Sequence, residues 1–246
     1  METVNWYDCV KWCNARSQQA GLTPVYYTDS GFAQVYKTGD VDAVYVNWGA
    51  NGYRLPTEAE WEKAARGGLS GCRFPWGNLI SESQASYYGN TNSYRYDRGA
   101  NGHNAIGSVG GTSPATSPVG SFDMNGYGLY DMAGNVLEWC RDWYGTPYGQ
   151  PRTTNPTGAG SASGNRVLRG GNWDYFAVSS QCAYRSNYYP VDAYNFIGFR
   201  CVRGLKFLLF YVSTLWQARA AASFFEENNR SESNKHLTKL EAGRLI

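Results

Sequence analysis

Between Arg166 and Arg203 the sequence runs RVLRGGNWDYFAVSSQCAYRSNYYPVDAYNFIGFRCVR, and this stretch constrains the fold more than any other. Its two ends read as framework. Arg166-Val-Leu-Arg169 is a short β-type run stopped by Gly170-Gly171. Ile197-Gly-Phe-Arg-Cys-Val-Arg203 is a second, with apolar and polar residues alternating from Phe199 to Arg203. Between them, residues 174–196 hold no Lys, Glu or Met, but five Tyr and two Phe among Ser, Asn, Asp, Ala and Val. A buried strand would be more uniformly apolar, and a solvated loop would carry fewer rings. Tyr with Ser and Asn is the chemistry of an adaptable binding surface: the ring gives contact area at low entropic cost, and the small polar groups adjust their hydrogen bonds.

Upstream, Asn5 is placed to cap a helix running to about Gln19, with Trp6, Cys9, Val10 and Cys13 on one face and Gly21 ending it. Strands are expected over 22–27, 34–38 and 41–46, with Gly39-Asp40 as a turn. Thr57 and Glu60 form the sequence signature of a capping box, and Trp61, Ala64 and Ala65 mark the buried side of the second helix. Glutamates near that start suit the helix dipole and need no catalytic role. Residues 81–120 are rich in Ser, Asn, Gly and Tyr with little periodicity. Tyr87, Tyr88, Tyr94 and Tyr96 argue that this long irregular region packs rather than links.

Chain length, 246 residues, suffices for one large domain or two small ones. Net charge is +2. The segment 205–246 carries all of it, with six Lys/Arg against four Glu, so nothing points to nucleic-acid binding. Leu205–Trp216 is apolar but too short to span a bilayer. No signal peptide opens the sequence. The six cysteines, Cys9, Cys13, Cys72, Cys140, Cys182 and Cys201, form no C-x-x-C pair, and Cys9 and Cys13 have no histidine nearby, which argues against a zinc site. Disulfides and free buried thiols both remain open.

Five segments together carry a family resemblance. They are Val4–Asn14, Tyr53–Gly68, Phe74–Asn78, Pro118–Tyr144, and the trio RVLRGGNW, CAYR and IGFRCVR in that order. In these the chain resembles the formylglycine-generating enzyme (sulfatase-modifying factor) family over about residues 4–203. The resemblance implies an α+β, loop-rich, C-type-lectin-like fold with two main helices and short antiparallel strands over 1–204. Family members carry several strands before the segment matching Val4–Asn14, so the resemblance implies that the sequence either lacks that opening or is a fragment, and a helical or partly disordered extension is expected over 205–246. It implies a pairing of Cys13 with Cys201, and leaves Cys182 without its usual partner because Ala65 stands there. Gly134-Asn-Val-Leu-Glu-Trp139 resembles the segment where family members bind calcium. Asn135 and Glu138 offer two hard oxygen ligands; the alternative is that Asn135 caps a turn and Glu138 pairs with an arginine. Asn90 is a weaker candidate for a second calcium site.

The block 174–196 is similar to something narrower, the variable region of diversity-generating retroelement proteins. Those systems mutate adenines in Asn-type codons and reach Asn, Tyr, Asp, Ser, Ala, Val and Phe, but not Lys, Glu, Gln, Met or Trp. Every residue from Asp174 to Ser180 and from Ser186 to Tyr189 lies in that set, and Gln181 would be a fixed position. The ligand contacts expected are Asp174, Tyr175, Phe176, Val178, Ser179, Ser180, Ser186, Asn187, Tyr188, Tyr189, Asp192, Tyr194, Asn195 and Phe196. The partner implied is a protein or cell-surface ligand, with the protein surface-displayed or secreted.

The enzymatic alternative meets a cysteine test. Formylglycine-generating enzymes use two cysteines shortly after Arg-Gly-Gly to hold copper, and soft thiolates suit Cu(I). Here no cysteine lies between Gly171 and Cys182, so no copper is expected. His103 and His236 are too few for a three-His iron site, and no nucleophilic triad is recognisable. A third possibility is a module whose Tyr-rich face meets one fixed partner.

Overall fold

Asn5 starts the first helix. Its extended backbone leaves the side-chain oxygen to accept the Asp8 N–H at 2.8 Å, and α1 runs Trp6–Gln19. The computed structural model describes residues 2–104, 116–145, 155–159 and 164–203; the expected extension over 205–246 and His236 lie outside them. The second helix, α2, is Glu58–Ala65, opened by the capping box of Thr57 and Glu60. The strands are short: β1 (Tyr26–Tyr27), β2 (Tyr45–Val46), β3 (Tyr53–Arg54), β4 (Tyr88–Gly89), β5 (Gly102–His103), β6 (Leu137–Trp143), β7 (Arg166–Arg169), β8 (Ser186–Tyr188), β9 (Ile197–Gly198) and β10 (Val202–Arg203).

The central sheet has the order β8-β7-β6-β9, antiparallel except for the parallel pair β6 and β9. Alternation along β6 and β7 sends side chains to two faces, and a helix covers each. Leu137, Trp139 and Leu168 join Trp6, Val10 and Cys13 of α1. Cys140 and Val167 join Trp61 and Ala65 of α2. The large indoles are satisfied where they are buried: Trp6 Nε1 donates to Cys140 O at 3.0 Å, Trp139 Nε1 to Val4 O at 3.0 Å, and Trp61 Nε1 to Glu138 Oε2 at 2.6 Å.

Both ends of β7 are buried arginines. Arg166 lies between the rings of Trp6 and Trp143, 3.7 and 3.3 Å from their centroids, and donates to Arg141 O at 2.8 Å and Asp42 O at 3.0 Å. Burial pulls its guanidinium down to about 9, which leaves it charged at neutral pH. Arg169 points to the other face and pairs with Glu58 and Glu62 of α2. Glu58, fully buried, also takes a two-pronged contact from Arg185 at 2.6 and 2.8 Å. The glutamates at the start of α2 are thus structural.

Several expected strands shrink. Only Tyr26–Tyr27 of 22–27 pairs, and 34–38 reduces to a bridge of Val35 with Tyr27. Buried Asn14 takes over the missing ladder: its amide donates to Tyr26 O and Tyr36 O, and accepts from Val25 N and Tyr26 N. The run 197–203 splits into β9 and β10, because Arg200 leaves the strand to meet Glu138. Within the irregular region, β4 and β5 pair antiparallel.

One buried carboxylate sits on the α2 face with half its capacity unmet. Asp142 Oδ2 accepts the Glu58 N–H at 2.9 Å, while Oδ1 has no partner among the described residues. Burial pushes this carboxyl up from 3.8 to about 6, against the helix-end N–H that favours charge. The folded chain therefore holds the proton more tightly than the unfolded one, and the group's contribution to stability falls as pH rises from 3.8 to about 6. Asp142→Asn keeps the acceptor and removes the charge. In urea unfolding it should gain on the parent chain by about 2–3 kcal/mol between pH 4 and pH 7. An identical pH dependence of the two chains would contradict this.

Candidate ligand-binding face

The backbone of residues 173–196 is fixed by hydrogen bonds to elements outside it. Trp173 N–H donates to Asn135 O at 2.9 Å, Tyr88 N–H to Tyr175 O at 2.9 Å, and Cys182 N–H to Arg73 O at 2.7 Å. Trp6 N–H donates to Pro190 O at 3.0 Å and Leu137 N–H to Phe196 O at 2.9 Å. Inside the block, β8 pairs residue by residue with β7, an element the sequence pattern did not reveal. The turn into the block needs Gly170 and Gly171, with φ of 100° and 74°. A Cβ on Gly171 would stand 2.6 Å from Ser180 Oγ.

The expected contact residues divide into three groups. Asp174, Phe176, Tyr189, Tyr194 and Asn195 are exposed. Tyr175, Val178, Ser186, Asn187, Tyr188, Asp192 and Phe196 are half-buried. Ser179 and Ser180 are buried, which corrects the expectation that they touch a ligand. A 3-10 turn over Ala177–Ser180 carries them inward; Ser179 Oγ donates to Phe176 O at 2.8 Å, and Ser180 lies against Gly171. Val191, which the residue pattern did not single out, is 59% exposed and joins the face.

The rings follow the same division. Tyr175, Tyr188 and Phe196 rest on the α1 side of the core. The hydroxyls of Tyr175 and Tyr188 are 2.9 Å apart, and burial with this bond raises the Tyr188 phenol well above its ordinary value. Tyr194 stacks on Phe196, centroids 5.2 Å apart and 10° from parallel. On the opposite flank Phe176 meets Tyr88 edge-on at 5.4 Å and Tyr94 at 5.9 Å. His103 packs on Tyr88 and Trp173, and its Nε2 lies 2.9 Å from Asp174 Oδ1. The aromatic face therefore extends past the block onto Tyr88, Tyr94 and His103. The surplus of tyrosines in 87–96 was the only sequence signal for this. Gln181, outside the reachable codon set, donates to Tyr96 OH at 3.2 Å and ties the two parts together. Two of the polar candidates are engaged locally: Asp192 Oδ2 accepts the Tyr189 N–H at 2.9 Å, and Asn187 Oδ1 accepts from Asn165 Nδ2 at 2.6 Å.

The calcium candidates are largely spent on protein partners. Asn135, buried with φ of 66°, exchanges two hydrogen bonds of 3.1 Å with the Ser117 backbone. Glu138 accepts from Trp61 and from Arg200 Nε and Nη2, at 2.6, 2.5 and 2.6 Å. Asn90 Oδ1 accepts the Ser93 N–H at 3.0 Å within its own turn. Beside Glu138 lies Asp131, whose Oδ1 is buried without a partner among the described residues and whose carboxyl burial raises. Arg200 Nη2 also reaches Asp131 O at 3.0 Å.

All six cysteines are free thiols. Cys13 and Cys201, which the resemblance pairs, lie near enough for Cys201 to add to the burial that raises the Cys13 thiol. Burial pushes Cys182 and Cys201 up to about 11. Among the described residues, no helix is long and apolar enough to cross a membrane.

A family profile described as Sulfatase-modifying factor enzyme 1-like domain matches residues 1–205. The serine/threonine-protein kinase pkn1 of Chlamydia caviae is 40% identical over 172 residues, which is 66% of this chain and 24% of that protein. The formylglycine-generating enzyme of Mus musculus is 38% identical over 164 residues, 65% of this chain and 41% of the enzyme. The chain thus spans well under half of either relative. Among solved structures, Treponema denticola variable protein 1 is similar with a TM-score of 0.66 and 32% identity, covering 83% of this chain and 71% of that one. CarF follows with a TM-score of 0.60 and 31% identity, covering 83% and 67%.

The division of rings predicts two kinds of tyrosine. Tyr189→Ala, at a position 62% exposed, should change unfolding free energy by no more than about 0.5 kcal/mol. Tyr188→Ala removes a ring from the core edge and a hydrogen bond, and should cost about 2–4 kcal/mol in the same urea titration. Equal effects of the two substitutions would show that the division is wrong.

Proposed function

We propose, from the fact that this chain belongs to the sulfatase-modifying factor enzyme 1-like family and has its C-type-lectin-like fold, that it binds a ligand on the surface of residues 174–196 and catalyses no reaction. The observation that carries this reading is the separation of duties in that block. Backbone bonds to β7, β6, α1 and Tyr88 hold its course, while Phe176, Tyr189, Val191, Tyr194 and Asn195 face solvent. Side chains can change there without loss of a backbone partner, as a diversified surface requires. Exposed Tyr and Phe serve as anchors, and Asp174 and Asn195 adjust hydrogen bonds to a protein or cell-surface ligand. Similarity to Treponema denticola variable protein 1 supports the same reading.

The thiol chemistry supports it from the other side. No cysteine lies between Gly171 and Cys182. Cys182 and Cys201 are thiols pushed up to about 11, so at neutral pH neither is a ready nucleophile.

The test is a comparison of this gene across independent isolates. Substitutions should fall in codons 174–196 at the solvent-facing positions and spare Ala177, Ser180 and Gln181, whose side chains are buried or tie the block to Tyr96. An unchanging face would indicate one fixed partner instead. Thiol-dependent oxygen uptake by the purified protein would return it to the enzymes.

A further inference from the structure

Next to the aromatic face lies an open cleft of about 490 Å³, lined by Thr91, Arg95, Asp97 and Arg98. The segment that builds it reads Tyr94-Arg-Tyr-Asp-Arg98. Its two tyrosines turn toward the ligand face: Tyr94 packs on Phe176 at 5.9 Å, and Tyr96 accepts from Gln181. Its two arginines are exposed and line the cleft. Among the described residues neither guanidinium has a carboxylate within ion-pair distance.

The acidic group that shares the cleft is already committed. Asp97 is buried; its Oδ1 accepts from Tyr87 OH at 2.5 Å and Gly99 N at 3.1 Å, and its Oδ2 from Asn90 N at 2.7 Å. Three donors inside the protein hold that carboxylate, so Asp97 fixes the loop and leaves Arg95 and Arg98 with their forks open. Arg73, also exposed, lies over the Tyr96 ring at 5.3 Å and adds a third positive charge to the same flank. Guanidinium forks match planar carboxylates and hold them with two parallel hydrogen bonds. An apolar ring beside such a fork suits a carboxylate whose chain neighbour is aliphatic.

We propose that the cleft of Arg95 and Arg98 is a subsite of the ligand face, and that it takes Asp or Glu side chains of an acidic peptide segment whose apolar neighbours pack on Phe176 and Tyr94. The assignment rests on the reading of the aromatic face as a ligand surface and narrows it to one chemical class of partner.

Fluorescence anisotropy tests it with three labelled ten-residue peptides: one of Glu and Leu, one of Lys and Leu, and one with phosphoserine in place of Glu. The Glu-Leu peptide should bind, more weakly as salt rises, and the Lys-Leu peptide should not. The double variant Arg95→Ala/Arg98→Ala should lose at least about tenfold in affinity, what the loss of charge-assisted hydrogen bonds to a carboxylate is worth. Lys37→Ala/Lys63→Ala removes the same net charge from exposed sites elsewhere and should lose nothing. Equal binding by the parent chain and the arginine variant would overturn the proposal, as would no binding of the Glu-Leu peptide, or binding of the phosphoserine peptide alone. Phe176→Ala separates the two levels. Binding lost there but kept in the arginine variant leaves the ligand face standing and removes only the subsite. Binding indifferent to both removes both.

Discussion

Two guanidinium groups at the ends of one four-residue strand hold this protein together. Arg166 fills the space between Trp6 and Trp143 on the α1 face, and Arg169 meets Glu58 and Glu62 on the α2 face. Burying charge is costly unless each hydrogen-bonding group finds a partner. Here the terminal guanidinium nitrogens meet backbone carbonyls and a glutamate at a helix start, and the ring faces and a 3.3 Å ion pair to Glu58 offset the two Nε groups that lack a hydrogen-bond partner among the described residues, so both helices are bound to β7. Arg185, reaching Glu58 from within the Tyr-rich block, extends the same network to that block. Break the charge balance at Glu58, and the helix, the central strand and the displayed block lose a common anchor.

That anchor explains how a surface can be rich in rings without being sticky core. The block 174–196 is attached through its backbone and through Arg185, so its remaining side chains divide by depth. Tyr175, Tyr188 and Phe196 form a floor that closes the α1 core. Tyr194 stacks on the floor, and Phe176, Tyr189 and Val191 stand clear of it. A position in the floor is constrained by packing, and a position above it is not. The second flank, from Tyr88 to His103, lies outside the block 174–196 and packs against it through Phe176.

The helices were legible in the sequence because their signals are local. Asn5, Thr57 and Glu60 act within one turn of their own positions, and the apolar stripe from Trp6 to Cys13 has a single period. The ends of the organising stretch were legible for the same reason, as a short β run and a Gly-Gly stop. What failed was non-local. Over 22–46 only Tyr26–Tyr27 and Tyr45–Val46 pair as strands, the side chain of Asn14 binds Tyr26 and Tyr36 where 34–38 was expected to pair, and the run after Ile197 broke where Arg200 met Glu138. Residue type marked Ser179 and Ser180 as surface-like, but a 3-10 turn decided their direction. Glu138 and Asn135 had the right atoms for calcium; their other partners, Arg200, Trp61 and Ser117, come from distant parts of the chain and leave the unpartnered oxygen on Asp131 instead.

The central claim is that this fold separates a fixed frame from a face meant to vary, and the DNA beside the gene tests it most directly. The account predicts a near-copy of the codons for about Arg169–Arg203 close by, differing from the gene at adenines and adjacent to a reverse-transcriptase gene. The differences should map to the solvent-facing side chains. Flanking DNA without such a repeat would contradict the account and leave the Tyr-rich face as a fixed interface.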